Sequence, residues 1–248
     1  MIVGGGQIGA EELFSLLQDQ DALPDEIIWV SSKGYPVCLD ENPFANDLYT
    51  PSFSNSFFDL SAEQRSRYNA MLRDTSDGIQ SNLLERVYQR LFFLTEVKRL
   101  PLKLSFVPVS KIAKVEEDAA SKTFTASTVG FCNSDIPSLD QIILCTGFIQ
   151  NDLTLLQGLG NYCDAGVTVR EDFSIQPSCE TSCRVFVHNG AKSFFGPADP
   201  NLSLISWRSA KIINSIAGEE IYKLRDDFSS MINWVFTPPE DMASNPTI

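Results

Sequence analysis

The sequence predicts an α/β protein built on a parallel sheet, and three observations carry that expectation. A short apolar strand at Met1-Ile-Val runs into glycines at 4, 6 and 9, and then into an amphipathic helix carrying Leu13, Phe14, Leu16 and Leu17. Leu23-Pro24-Asp25 interrupts the pattern, and Glu26-Ile-Ile-Trp-Val30 reads as a buried strand that completes β-α-β. Far downstream, Asp140-Gln-Ile-Ile-Leu-Cys-Thr-Gly-Phe148 reads as another buried strand ending in a glycine turn.

The strand-turn-helix order is the one a dinucleotide pyrophosphate needs. Gly4 allows the tight turn, Gly6 lets the backbone approach the phosphates, and Gly9 lets helix and strand pack closely. The same spacing also serves a tight turn with no ligand, so the motif alone leaves both readings open. The tip of the second strand, Ser31-Ser32-Lys33, lies where a dinucleotide fold meets the adenine ribose. Two hydroxyls and a cation there favour a 2′-phosphate, hence NADP(H) over NAD; otherwise Lys33 is a solvated loop lysine. With the strand ending at Phe148, these pieces form a Rossmann-like domain.

Composition sets the bounds. At 248 residues and 43% apolar, the chain is long enough for one large domain or two small ones with a sizeable core. Nineteen basic against thirty-two acidic residues give a net charge of −13, which disfavours nucleic acid and anionic membrane surfaces as partners. The apolar runs at Leu91-Phe-Phe-Leu94 and Ile142-Ile-Leu144 are too short to span a bilayer, and a soluble, cytoplasmic protein is expected. Six scattered cysteines suit reduced thiols. Cys179 and Cys183 do not have a usual metal spacing, and with one histidine in the chain no metal site is expected. His188 lies in the alternating run Arg184-Val-Phe-Val-His188, which predicts a partly buried strand histidine.

In chain order, the two prolines of 40–51 predict a loop. Ser61 and Gln64 predict a capping box opening a helix to about Arg73, and 80–98 a long amphipathic helix. Strands follow at 104–109, 112–117 and 123–129, with short candidates at 167–169, 173–175 and 184–188; 151–161 reads as helix and then loop. Asp199 and Pro200 predict a capped helix start and Gly218 its C-cap, with the preceding glycine loop able to present backbone N–H groups to an anion or a flavin carbonyl. The expected domains are 1–148, with a helical insertion at about 40–98, then 149–235 as a C-terminal return, and a disordered tail from 236.

Four segments, with Cys145-Thr-Gly-Phe148 as a fifth, give the chain a resemblance over about residues 1–220: Val3-Gly-Gly-Gly-Gln-Ile-Gly-Ala-Glu11, Asn42-Pro-Phe-Ala-Asn-Asp47, Thr75-Ser-Asp-Gly-Ile79, and Ala198-Asp-Pro-Asn-Leu-Ser-Leu-Ile-Ser-Trp-Arg208. It resembles the flavin-dependent N-hydroxylating monooxygenases of siderophore biosynthesis, in their L-lysine 6-monooxygenase and diamine hydroxylase branch. The resemblance implies NADPH and FAD as cofactors, with O₂ and the terminal amine of L-lysine, cadaverine or putrescine as substrates. It implies NADPH contacts at Gly4, Gly6, Gln7, Gly9, Ser31, Ser32 and Lys33, although Ser32 stands where ornithine-type relatives carry an arginine. It places Gly196, Asp199 and Leu202 beside the flavin, and Asn46, Ser76 and Ser203 at the substrate. Ser76-Asp77 replaces an Asn-Tyr of the ornithine branch, which favours lysine or a diamine, and Phe195 replaces a histidine. No side chain is implied as a catalytic acid or base. The family's N-terminal flavin-binding segment is not among these motifs, so the chain is expected to be the C-terminal portion of such an enzyme, with 149–235 a partial second, FAD-type α/β subdomain that completes the flavin and substrate domain; the alternative is a truncated stand-alone NADP(H)-binding module. A homo-oligomer is expected by the same resemblance.

Overall fold

The computed structural model describes residues 1–19, 22–148, 167–177, 180–181, 183–224 and 230–236. In chain order the elements are β1 (Ile2–Val3), α1 (Gln7–Gln18), β2 (Glu26–Val30), α2 (Pro51–Phe58), α3 (Ala62–Met71), α4 (Ser81–Phe92), β3 (Lys103–Val107), β4 (Ser110–Asp118), β5 (Thr123–Gly130), β6 (Asp135–Leu139), β7 (Ile143–Leu144), α5 (Lys192–Phe195) and α6 (Ile205–Ala217). They fall into two compact units, 1–40 with 76–148, and 41–75 with 149–248. The segment expected as one helical insertion therefore divides: 41–75 clusters with the C-terminal half, while α4 stays with the first sheet. The cause is apolar pairing, because Leu83 and Val87 of α4 share a core with Leu13 and Leu17 of α1, whereas Phe53 and Phe57 of α2 pack with Leu48 and Leu60.

The first unit is mixed α/β around a parallel sheet of order β3-β2-β1-β7. Ile2, Ile27 and Trp29 bury one face of it against Ala10, Leu13 and Leu17 of α1. Arg90 of α4 donates to the Leu17 carbonyl at 2.8 Å, answering one of the unpaired acceptors at the end of α1. A second, antiparallel sheet of order β4-β5-β6 lies between β3 and β7 in the chain. No residue pattern marks β6: Pro137 argues against a strand, and it is tolerated because β6 is an edge. The strand expected over 140–148 shrinks to Ile143–Leu144.

The second unit, among its described residues, is helical with isolated bridges at Val169–Ile175 and Ser174–Phe186, so the short strands expected there do not form. Thr50 caps α2 and Pro51 occupies its first turn, so the proline read as a loop marker starts a helix. The capping box at Ser61 and Gln64 forms as expected. Asp199, in contrast, does not cap a helix. Its carboxylate accepts from the Ala191 N–H at 2.6 Å, Asn201 caps the following turn, and α6 begins at Ile205. Gly218 does end α6, with a left-handed φ of 72°. His188 is exposed, not half-buried: the bridge stops at Phe186, Val187 turns inward, and the imidazole meets Ser209 at 3.2 Å. The stretch 151–161, Cys163, Cys179 and the tail beyond 236 lie outside the described residues.

Candidate functional site

A cleft of about 640 Å³ opens at the C-terminal ends of β1, β2 and β7, within the range of small-molecule sites. Its floor is the glycine turn. Gly4 has φ 128°, and a Cβ there would lie 2.0 Å from the Cys145 carbonyl oxygen, so β7 and the turn touch through bare backbone. A Cβ on Gly9 would lie 2.1 Å from the Gly4 carbonyl, so Gly9 sets the close packing of α1 on the strand end. Gly6 is different. Nothing lies within 4 Å of a Cβ built there, so no protein neighbour requires its bareness. It is the N-cap of α1 with no side-chain cap and no acidic residue in the first turn, which leaves the helix N–H groups to receive an anion. Trp29 holds the turn from below, its indole N–H donating to the Gly4 carbonyl at 2.8 Å.

The predicted nucleotide residues separate into two groups. Ser32 and Lys33 line the cleft with Gly4 and Gly6. Ser31 does not: it is 1% exposed and its hydroxyl accepts from the Lys33 N–H at 3.0 Å, shaping the tip of β2 from inside. Gln7 also turns elsewhere, accepting from the Gln80 N–H at 2.9 Å and donating to Glu11 at 2.8 Å, so it fixes the start of α4. Lys33 Nζ donates to the Asp77 carbonyl at 2.7 Å, and this ties the β2 tip to the turn bearing Ser76, whose hydroxyl donates to Asp77. Gly78 seals that turn, since a Cβ would lie 2.3 Å from Leu39 backbone.

In the second unit Asn46 is exposed on a turn of 3-10 helix, Ala45–Tyr49, flanked by buried Ala45 and Asp47. Asn42 accepts from the N–H groups of Phe44 and Ala45, and Asp47 accepts from the Met231 N–H at 3.0 Å, so the turn is held from both sides. The loop 196–203 is organised by Arg208, which donates to the carbonyls of Ala198, Asp199 and Asn201. Asp199 lies inside this arrangement, and burial raises its carboxyl above the usual carboxylate range against the opposing pull of the Ala191 N–H and Arg208. Gly196 is packed, a Cβ meeting Phe53 at 3.1 Å. Pro200, Asn201, Leu202, 70% exposed, and Ser203 form the outward part of the loop. Phe195, in place of the histidine expected by resemblance, stacks on Phe173 at 4.1 Å and on Phe58 at 5.1 Å.

Sequence reading missed the far wall of the cleft, which is β4 from Ser110 to Val115, with Thr146 beside it. Among the described residues no cluster of three metal-ligating side chains exists, and no helix is long and apolar enough to cross a membrane.

The chain is thus an α/β protein whose parallel sheet carries an uncapped helix N-terminus over a glycine turn, a geometry that can receive an anion. The comparisons narrow it: the L-lysine 6-monooxygenase/L-ornithine 5-monooxygenase family matches residues 1–150, and the chain belongs to that family. It is 30% identical to the L-lysine N6-monooxygenase of Escherichia coli over 228 residues, 90% of this chain and 53% of that protein. Its fold is similar to that of an FAD-bound cadaverine monooxygenase of the desferrioxamine pathway from Erwinia amylovora (TM-score 0.80, 20% identity, 96% of this chain and 55% of that one). It is also similar to an ornithine N-hydroxylase of Kutzneria sp. 744 solved with reduced FAD, NADP+ and L-ornithine (TM-score 0.77, 22% identity, 88% and 53%). The chain spans about half the length of the relatives it matches.

Proposed function

We propose that the chain carries the NADPH-binding domain and part of the flavin and substrate domain of an N-hydroxylase. That enzyme acts on the terminal amine of L-lysine or of a diamine such as cadaverine or putrescine, in hydroxamate siderophore biosynthesis. The single observation that carries the reading is the cleft over the glycine turn. Its lining includes Lys33, Lys111 and Lys114 and no carboxylate, in a chain of net charge −13. Such a wall attracts a dinucleotide phosphate and repels the amine substrate.

The residues present fit NADPH. The N–H groups at the start of α1 and the bare Gly6 receive the pyrophosphate, while Ser32 and Lys33 meet the ribose end. For the flavin the fit is narrower: Leu202 and Ser203 offer an exposed edge, while Gly196 and Asp199 act from within by setting the loop. A bound flavin supplies the activation of O₂ with electrons taken from NADPH. The exposed amide of Asn46 serves to orient the amine, and Ser203 its surroundings, with the buried Asp47 and Arg208 holding each in place.

Incubation of the whole enzyme of which this chain is a part with FAD, NADPH, O₂ and each of L-lysine, cadaverine, putrescine and L-ornithine tests this; the chain by itself is not expected to hydroxylate. Hydroxylamine formed from lysine or a diamine and not from ornithine is expected. Hydroxylation of ornithine alone, or of none of the four, overturns the reading.

A further inference from the structure

We propose that the free edge of β4 is a second anion-binding wall of the nucleotide cleft, in which Lys111 and Lys114 recognise a ribose 2′-phosphate. The inference rests on the NADPH reading above and names residues that neither the glycine motif nor the strand tip supplies.

Three observations carry it. The first is placement. Val109 N–H donates to the Lys33 carbonyl at 3.1 Å and Ser110 N–H to the Ser31 carbonyl at 2.9 Å, so the start of β4 is bonded to the β2 tip where the ribose end is expected. Lys111, Lys114 and Lys33 all line the same cleft.

The second is a register break. Lys111 pairs with Val129 and Ile112 with Thr128, but Lys114 pairs with Ser127, leaving Ala113 as the extra residue of a bulge. In a regular strand, residues three apart point to opposite faces. Val129 and Ser127 are two apart on β5 and share a face, so their partners Lys111 and Lys114 share one as well. The bulge thus brings two ammonium groups to one side of the strand that borders the cleft.

The third is availability. Among the described residues the Lys111 ammonium makes no ion pair or hydrogen bond. Lys114 meets Glu116 at 2.6 Å in a solvent-exposed pair, a partnership that a dianionic phosphate displaces at little cost. Lys33, by comparison, already donates one ammonium hydrogen to the Asp77 carbonyl and meets the ribose end with the rest. A phosphomonoester with three acceptor oxygens and about two charges is the chemistry that two adjacent lysines satisfy.

Calorimetric titration of the chain with 2′,5′-ADP, and with 5′-ADP, which lacks the 2′-phosphate, tests the proposal. The parent is expected to bind 2′,5′-ADP more tightly. Lys111→Gln with Lys114→Gln weakens 2′,5′-ADP by about tenfold or more and flattens its salt dependence, leaving 5′-ADP within about twofold. Lys111→Arg with Lys114→Arg retains the preference, and an unchanged circular dichroism spectrum confirms that both variants are folded. If the glutamine variant binds 2′,5′-ADP as tightly as the parent, the β4 wall is wrong while the NADPH reading stands. If the parent binds neither compound, the NADPH reading and the proposal fall together.

Discussion

Adding one methyl group to Gly4 or to Gly6 has opposite outcomes. Gly4→Ala forces a left-handed φ and a collision with Cys145, and should cost about 2–4 kcal/mol of unfolding free energy. Gly6→Ala meets nothing in the protein, so stability should change by less than about 1 kcal/mol while NADP+ affinity falls by about tenfold or more. Thermal denaturation and calorimetry on both variants check this; equal affinity in Gly6→Ala and the parent would remove the turn from the nucleotide site. Asp172 sets an acid limit in the second unit. Burial raises its carboxyl, but hydrogen bonds from Ser174 and Ser215 outweigh that and hold it below the usual value of 3.8. A depressed carboxylate contributes stability above its unfolded pKa and loses it as pH falls through the folded value. The parent should therefore destabilise below about pH 4, and Asp172→Asn should be less stable at pH 7 by about 1–3 kcal/mol with a flatter acid limb. Glycine spacing was readable because backbone sterics dictate it locally. Asp199 and His188 were misread because each is decided by a distant partner, the Ala191 N–H and the bridge that ends at Phe186.

At the scale of elements, strong local signals survived and those dependent on tertiary context did not. The capping box at Ser61, the apolar face of α4 and the β-α-β opening are where the sequence puts them. Pro51 reads as a loop marker yet starts α2, and Pro137 sits in an edge strand, positions where a missing N–H costs nothing. Thr50 is the counterpart signal: its hydroxyl accepts from the Phe53 N–H and donates to the Asp47 carbonyl. Thr50→Ala should cost about 1 kcal/mol in denaturant unfolding. An unchanged midpoint would mean that the Phe53 and Phe57 core alone fixes α2. The bulge at Ala113 left no trace in residue pattern, so the β4 wall of the cleft was illegible before the register was known.

Across the whole molecule, the division at 40 and 76 shows why a linear domain boundary near 148 was expected. Motifs order residues along the chain, while the cores join 41–75 to the C-terminal half. Family membership rests on residues 1–150, and the cleft over the glycine turn lies wholly within the first unit. Titration of NADP+ and of NAD+ into the chain is the most direct measurement. Saturable binding of one NADP+ per chain, with NAD+ weaker by about tenfold or more, is the predicted result; no NADP+ binding, or NAD+ bound as tightly, would contradict it.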